Sequence, residues 1–424
     1  MLWGLGVGYV ISGEYFGWNL GLPQGGTYGM LAATLLVTVM YVAFVLSYAE
    51  LACAIPKAGG AFDYALRALG PVPAFLAGAL QFVEFVFAPP AIAFAIGAYL
   101  HLYVPVDPLW IGVACYLLFT ALNVWGVRQA ASFELLVTVV AVVELLIFIG
   151  ATAPSFRWER FVDNPLPHGW SGAFAAVPFA IWFYLAIEGV ANAAEEARNP
   201  QRDVVIGFGS AMATLVVLAL GVFFCAVGVD GWPAVVYESP GAAPSDSPLP
   251  LAMARALSRG SWLYGLLVTV GLFGLIASFH GILLAGGRAT MELGRAGYAP
   301  RVLGRIDPRT GTPALALLFN MLVGIGALCT GKTGDIIVLA CFGAVGLYIV
   351  SMLSLFALRR REPDLPRPFR AVLYPIFPAT ALVLAVLCLG ALVAFYPLVA
   401  ALFAAIVLGG LAAFALWRKR SRST

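Results

Sequence analysis

Charged residues are scarce in this chain: lysine, arginine, aspartate and glutamate make up only 11% of its 424 residues. Soluble domains carry about a quarter charged residues and about half apolar ones, whereas 62% of this chain is hydrophobic and its mean hydropathy is +0.95. So few polar side chains cannot cover the surface of a folded chain of this length in water. This excludes a soluble protein and makes membrane lipid the first expected partner.

Signatures of metal sites, disulfide frameworks and nucleic-acid sites are also missing. The six cysteines lie in apolar runs without a CxxC or Cys/His spacing, so we expect them to pack rather than to bind a metal or form disulfides. The formal net charge is only +3 and the basic residues form no patch that could follow phosphates, which excludes nucleic acid. Met1 opens onto an apolar stretch without a basic flank, so no removable signal peptide is expected.

Long apolar runs, in contrast, recur along the whole chain. A hydrocarbon core of about 30 Å requires about 20 helical residues, and continuous runs rich in leucine, alanine, valine and glycine favour helices over the short alternating segments of a barrel. The sequence predicts an all-α, polytopic membrane protein with twelve transmembrane helices. They lie at about 2–22, 29–54, 72–102, 109–127, 133–153, 172–194, 204–228, 261–285, 313–331, 334–358, 374–395 and 397–417.

The basic residues separate into two sets of alternate connections. Nineteen of the 24 lysines and arginines fall in one set, which includes the C-terminal tail, and five fall in the other. The positive-inside rule places the first set and the C-terminus in the cytoplasm, and the even number of spans places the N-terminus there too. The longest outer connection, 229–260, is rich in proline, serine and glycine and is either a lid or a plain connector.

One nucleotide-binding pattern occurs in the wrong context. Residues 326–333, GALCTGKT, fit the phosphate-binding pattern GxxxxGK[ST] at every position. That loop works between a buried strand and a helix, whereas here it joins two apolar spans on the predicted outer face. Nucleotide binding is therefore not expected.

Acidic residues inside apolar spans are the strongest functional candidates, because burying a charge in lipid is costly. Five glutamates qualify: Glu14, Glu50, Glu84, Glu144 and Glu188. Glu50 lies near the cytoplasmic end of its span, where it can reach water, and a role in structure or gating is favoured over substrate contact. Glu84 and Glu144 lie deeper, and each either acts in function or pairs with a neighbouring hydroxyl group.

Glu14 and Glu188 have the most distinctive settings. Ser12 and Gly13 come directly before Glu14, and Gly189 directly follows Glu188 near the middle of the sixth run. Serine and glycine loosen a helix, so two spans five apart share a mid-membrane acid at a weak point. This placement predicts broken helices 1 and 6 in two inverted five-helix repeats. Packing of small residues explains the glycines but not the carboxylates.

Several stretches also carry a resemblance to a known family. They are the Ser12-Gly13 element, YAELACAIPKAGGAFDYALRALG at 48–70, EGVANAAEEARNPQRDVVIG at 188–207 and RATMELGRAGYAPRVLGRIDPRTGTP at 288–313. With these stretches the chain resembles the amino acid-polyamine-organocation (APC) transporters. Within that superfamily, VGYVISGEYFGWN and AVVELLIF at 141–148 resemble the ethanolamine permeases.

The resemblance implies an architecture and a mode of action. It implies inverted repeats at 1–153 (spans one to five) and 172–358 (spans six to ten), two peripheral spans at 374–417 and a basic cytoplasmic tail at 418–424. It also implies alternating access around a central site built from spans one, three, six, eight and ten. Such a carrier lies in the inner (plasma) membrane and uses a proton or sodium gradient, without ATP or any other cofactor.

One departure from the resemblance points to the substrate. Amino acid carriers of this superfamily have an aliphatic residue after Ser-Gly, where free amides bind the substrate carboxylate, whereas this chain has Glu14. A carboxylate substrate would be repelled, but Glu14 can hold an ammonium while Trp182 or Tyr184 supplies an aromatic face. We therefore expect a permease for a small amine, first ethanolamine. The alternative is an amino acid permease of the same superfamily, as a proton-coupled symporter or an exchanger.

The expected site consists of residues from several spans. Its substrate-binding members are Ser12, Gly13, Glu14, Trp182, Tyr184 and Glu188, and further candidates for substrate contact or proton coupling are Glu84, Glu144 and Ser278. Many similar transporters carry a lysine in span five that helps to couple protons, and Ala141 takes that place here. A membrane-embedded enzyme would need a clustered catalytic set, but the three histidines are scattered, so no enzymatic activity is expected.

Overall fold

The computed structural model describes residues 2–126, 131–192 and 199–420, and these residues are predominantly helical. The described part of the chain contains no strand, and Tyr237 and Pro244 form an isolated β-bridge. The helices are α1 (Leu2–Val10), α2 (Ser12–Tyr15), α3 (Leu22–Ala54), α4 (Ala61–Leu69), α5 (Pro71–His101), α6 (Pro108–Val124), α7 (Ala131–Thr152), α8 (Trp158–Phe161), α9 (Ser171–Trp182), α10 (Gly189–Asn192), α11 (Pro200–Asp230), α12 (Trp232–Val236), α13 (Pro248–Ala256), α14 (Trp262–Arg295), α15 (Ala314–Leu328), α16 (Thr333–Arg361), α17 (Ile376–Phe395) and α18 (Pro397–Arg420).

Eight helices of the described chain are long and apolar enough to cross a membrane. They are α3 together with the 3-10 turn before it, α5, α7, α11, α14, α16, α17 and α18. Three shorter apolar helices, α6, α9 and α15, lie where other spans are predicted, and α1 with α2 occupies the place of the first span. The prediction of an all-α, multi-span membrane protein is confirmed, and the number of helices that meet the length requirement is eight rather than twelve.

Several helices continue beyond the apolar runs that predicted them. The predicted eighth span ends at residue 285, but α14 continues to Arg295, so part of the connection 286–312 is helical. The connection 55–71 contains α4, which places Ala61, Tyr64 and Ala68 in the protein interior. Hydropathy marks only the segment that fits the hydrocarbon, whereas backbone hydrogen bonds let a helix continue into water.

The burial of the spans separates central helices from peripheral ones. In α5 and in α16, 83% of the most apolar 18-residue stretch is buried inside the protein. These two helices pack along each other, and α14 packs beside α5. In α18 the corresponding share is 17%. Large apolar side chains such as Leu398 and Val217 point out of the protein, at 86% and 62% exposure. Lipid is the solvent that suits such a surface.

Candidate functional site

The first span is interrupted next to Glu14. Only Ile11 separates α1 from α2, and Ile11 keeps helical backbone angles. The chain leaves the helix at Phe16, which is extended, and at Gly17, whose φ of +88° favours glycine. The main departure from helical geometry therefore follows Glu14, at Phe16 and Gly17.

The sixth predicted span is interrupted over the six residues 183–188. α9 ends at Trp182, turns follow, and α10 begins at Gly189. Within this interruption Ala186 has a φ of +75°, a conformation that costs a residue other than glycine about 1–3 kcal/mol. Glu188 is the last residue of the interruption, so it lies where the sequence pattern expects a break.

The two interruptions pack directly against each other. A Cβ atom at Gly13 would collide with the Trp182 carbonyl oxygen, and one at Gly17 would collide with the Trp182 indole ring. The Phe16 ring lies edge-on to that indole, with 5.4 Å between the ring centroids. Gly13 therefore serves close packing, and the pair of interruptions forms one unit built from spans that lie far apart in sequence.

Glu14 is completely buried in this unit. Neither of its carboxylate oxygens has a hydrogen-bond donor, while its backbone carbonyl oxygen accepts a bond of 3.2 Å from the Trp18 indole. A buried carboxylate without a donor or a counter-ion is unstable as an anion. The site is therefore suited to a cation or a proton.

Two aromatic residues, Trp182 at the end of α9 and Tyr184 in the second interruption, belong to the expected site. The Trp182 indole nitrogen is buried and has no acceptor. The Tyr184 hydroxyl lies 2.7 Å from Thr38 Oγ1 and within electrostatic range of Glu14, and its ring lies 5.2 Å from that of Tyr41.

Glu188 belongs to a different cluster. Its Oε2 accepts a hydrogen bond of 3.0 Å from the Tyr348 hydroxyl on α16, and its carboxyl group lies within hydrogen-bonding reach of the Glu84 carboxyl on α5. Glu84 Oε1 in turn accepts a bond of 3.1 Å from the backbone N–H of Ala186. The structure therefore pairs Glu188 with Glu84 rather than with Glu14.

Glu144 and Ser278 attach the first interruption to other spans. The Tyr15 hydroxyl lies 2.6 Å from Glu144 Oε2 on α7, and the Tyr15 carbonyl oxygen accepts a bond from Tyr99 on α5. Ser278 on α14 contacts the Tyr9 carbonyl oxygen at 2.8 Å and the Ser12 hydroxyl at 2.9 Å. Both residues therefore position the segment that carries Glu14.

The expectation that Glu50 reaches water is wrong. Glu50 is 1% exposed and forms ion pairs with Arg359 and Arg367, the latter at 3.0 Å. It also accepts a bond of 2.7 Å from the backbone N–H of Ala371. These bonds join the end of α3 to the end of α16 and to the connection that follows, which favours the structural interpretation of Glu50.

The connection 229–260 is held against the first interruption. The Asn19 side-chain amide donates to the carbonyl oxygens of Val235 and Ser245, at 3.3 and 2.8 Å. Thr333, the first residue of α16, donates a bond of 3.0 Å to Asp246. Burial raises the pKa of Asp246 to about 6, although the Thr333 hydrogen bond opposes this shift.

The pattern at 326–333 has no nucleotide-binding geometry. It joins the end of α15 to the start of α16, and α15 is a helix rather than the strand that a phosphate loop follows. Within the described ranges, no group of three or more His, Cys, Asp or Glu side chains could hold a metal ion.

The hydroxyl partners of the buried acids were missed by sequence reasoning. Each is a single polar atom on an aromatic or threonine side chain in an apolar run, and no spacing along the chain connects it to its acid. They are Tyr15, which bonds to Glu144, and Tyr348, which bonds to Glu188. Tyr99 bonds in turn to the Tyr15 carbonyl oxygen, Tyr41 to Tyr348, and Thr38 to Tyr184.

Comparison with known proteins agrees with this picture of a multi-span carrier. An uncharacterized transporter of Rhizobium meliloti (strain 1021) is 27% identical over 93% of this chain and 85% of its own. A methylthioribose transporter of Bacillus subtilis (strain 168) is 24% identical over 85% and 82%. A branched-chain amino acid permease of the same bacterium is 23% identical over 89% and 84%.

The family assignment rests on a match along almost the whole chain. The sequence profile of the amino acid permeases matches residues 3–411, which include both interruptions and all the buried acids. The curated relatives are transporters rather than enzymes. The chain therefore belongs to the amino acid permease family of the APC superfamily.

Proposed function

We propose that this permease carries a small amine that lacks a carboxylate, with ethanolamine as the best-fitting substrate, and that Glu14 binds its ammonium group. The observation that carries this proposal is the pair of Glu14 carboxylate oxygens, which are buried and have no partner. An ammonium group offers three donors and a full positive charge. It would satisfy both oxygens and offset the charge of the acid.

The neighbours of Glu14 support a cation over an anion. The Trp182 ring packs against Phe16 and Gly17, just after Glu14 in the chain, and aromatic faces attract cations. The Trp182 indole N–H has no acceptor and is free to bond a substrate hydroxyl, such as that of ethanolamine. A substrate carboxylate placed here would instead face the Glu14 carboxylate in a medium of low dielectric constant, where like charges repel strongly.

An amino acid permease is the second candidate, and a relative favours it. One similar protein is named a branched-chain amino acid permease. An amino acid could place its amino group on Glu14 and its carboxylate elsewhere in the break. The methylthioribose transporter among the relatives supports a wider range of substrates in the family, so the two candidates fit the comparisons about equally.

The proposal includes the architecture and orientation of the carrier. Interruptions in the first and sixth spans, five spans apart, support two inverted repeats at 1–153 and 172–358, with alternating access around the unit that holds Glu14. The excess of basic residues in alternate connections supports a cytoplasmic C-terminus in the plasma membrane. Ser12, Gly13, Trp182, Tyr184 and Ser278 would line or position the site. A proton or a sodium ion would drive the cycle.

Uptake into proteoliposomes tests the substrate. Reconstituted protein should take up labelled ethanolamine, and excess unlabelled ethanolamine should compete better than leucine or lysine. Glu14→Gln should abolish this uptake because the charge that holds the ammonium is lost. Glu159→Gln, a change at an exposed carboxylate on α8, should leave it intact. Leucine uptake that ethanolamine does not inhibit would favour the amino acid permease.

A further inference from the structure

Two fully buried acids from different parts of the fold meet beside the second interruption. Glu84 comes from the middle of α5, and Glu188 ends the interrupted segment 183–188. Their carboxyl groups lie within hydrogen-bonding reach of each other. Among the described residues, no lysine, arginine or histidine forms an ion pair with either of them.

Each acid has one oxygen that is satisfied and one that is not. Glu84 Oε1 accepts the Ala186 N–H and Glu188 Oε2 accepts the Tyr348 hydroxyl. The other two oxygens, Glu84 Oε2 and Glu188 Oε1, receive no donor from the rest of the protein. An ionised carboxylate only accepts hydrogen bonds, so two acids can bond to each other only if one of them carries a proton.

The surroundings offer nothing that could offset a second negative charge. The titratable side chains that face the pair are Tyr41 and Tyr48 on α3 and Cys341 and Tyr348 on α16, and none of them becomes a cation. Two adjacent carboxylates in a dry site repel each other strongly, and such pairs retain one proton between them.

We propose that Glu84 and Glu188 share a single proton and together form the site that carries the coupling proton of this permease. The inference rests on the proposed transport function. It moves Glu188 from the expected substrate-binding residues to a proton-carrying pair with Glu84. It also assigns the proton rather than sodium as the coupling ion and sets the number of coupled protons at one. In each cycle the pair takes up a proton from one aqueous side and releases it to the other.

The backbone of the second interruption links this proton to the substrate site. Glu84 is fixed in α5, where Gly343 of α16 lies so close to its backbone that a Cβ at 343 would collide with it. The Glu84 carboxyl group accepts a hydrogen bond from the N–H of Ala186, the residue with the unfavourable φ. Loss of the proton drives the two acids apart, so Glu188 and the segment 183–188 must move. Phe183, in the same segment, packs against Gly13, the residue before Glu14.

Infrared difference spectroscopy tests the shared proton without any substrate. The C=O stretching band of a protonated carboxylic acid should disappear from the spectrum of the reconstituted protein in both Glu84→Gln and Glu188→Gln. Each single variant should lose the same C=O band, and the double variant should lose only that band and no other. Glu144→Gln, a change at a buried acid with a different partner, should leave that band in place. Separate bands for Glu84 and Glu188 would overturn the shared proton.

Proton-driven accumulation of labelled ethanolamine tests the coupling. With the membrane potential held at zero, a pH gradient of one unit should concentrate a substrate about tenfold in a one-proton symporter. Glu84→Gln, Glu188→Gln and the double variant should all reduce this ratio to about one while retaining exchange of internal for external ethanolamine. Glu159→Gln, at an exposed carboxylate on α8, keeps both acids and should retain accumulation.

The outcomes separate this inference from the proposed function. Accumulation that persists in Glu84→Gln, or that follows a sodium gradient and ignores pH, would overturn the coupling role of the pair even though ethanolamine is carried. If the wild-type protein accumulates and exchanges leucine but not ethanolamine, the proposed substrate is wrong. The same variants are then compared with labelled leucine, and loss of accumulation with retained exchange again supports the pair.

Discussion

Among the described residues, the five buried glutamates differ in what stabilises them. Two arginines neutralise Glu50, the Tyr15 hydroxyl bonds to Glu144, and Glu84 and Glu188 adjoin each other. The Glu14 carboxylate alone among the five has neither of its oxygens bonded. A carboxyl group buried in this way needs either a proton or a cation. The proposed amine would supply the hydrogen-bond donors and the positive charge that no described side chain offers to Glu14.

Replacing Glu14 should therefore remove the affinity for the amine. Glu14→Ile restores the aliphatic residue that similar amino acid carriers have after Ser-Gly. It should weaken ethanolamine binding by about 2–5 kcal/mol, the usual effect of breaking a desolvated charge pair. Isothermal titration calorimetry on the purified protein measures this loss.

A second variant shows whether the loss of affinity comes from the charge or from disturbed packing, since the segment around Gly13 is closely packed. Glu14→Gln keeps the size of the side chain and removes its charge, and it should lose a comparable share of the affinity. If both variants bind ethanolamine as tightly as the wild-type protein, Glu14 lies outside the site and the amino acid permease becomes the better proposal.

At the scale of elements, the connection 229–260 is anchored at both the first interruption and α16. Asn19 donates hydrogen bonds to the backbone of this connection, and Thr333 donates one to its Asp246 side chain. These anchors join the segment after Glu14 to the start of the helix that carries Tyr348. The anchors tie the connection to the site, and both interpretations open to the sequence, lid and plain connector, are compatible with them.

The docking of this connection should depend on pH. The pKa of Asp246 is raised by burial from its ordinary value of 3.8 to about 6, so the docked state binds a proton more tightly than the free loop. Docking should therefore strengthen as the pH falls from above 6 towards 4 and weaken as it rises through 6. Hydrogen exchange of residues 234–247, corrected for intrinsic rates, should show more protection at about pH 5 than at about pH 7.5.

The control for this prediction is a second acid near the start of α16. Asp246→Asn should give equal protection at the two pH values, whereas Asp335→Asn, at a 52% exposed side chain, should keep the difference. Equal protection at both pH values in the wild-type protein would contradict the prediction.

The limits of sequence reasoning are visible in these same elements. The apolar runs predicted α5, α11, α16 and α17 closely, because lipid forces the backbone to satisfy its own hydrogen bonds over a fixed length. A glycine after Glu188 likewise predicted an interruption where one lies. Partners could not be predicted, since Tyr15 and Glu144 are 129 positions apart and Glu50 and Arg359 are 309 apart. Such pairs depend on how the helices pack side by side.

At the scale of the whole molecule, the acid pair lies against the two central helices, whereas α17 and α18 lie towards the lipid. Glu84 is on α5, and Tyr348, which bonds to Glu188, is on α16. The two central helices are the most buried of the long spans, at 83%. Coupling between proton and substrate is therefore expected within the central helices, with the last two spans outside it.

The orientation of the molecule is a property of the whole chain, and α14 offers a direct test. Its 34 residues extend about 50 Å, more than the hydrocarbon thickness of about 30 Å. Ser245 before it and Arg305 after it are therefore expected on opposite sides of the membrane. Because nineteen of 24 basic residues lie in the set of connections that holds Arg305, that side should be cytoplasmic. In a variant without the native cysteines, a cysteine at Ser245 should react with an impermeant maleimide on intact cells. A cysteine at Arg305 should react only after the cells are permeabilised, and the reverse result would invert the topology and place the C-terminus outside.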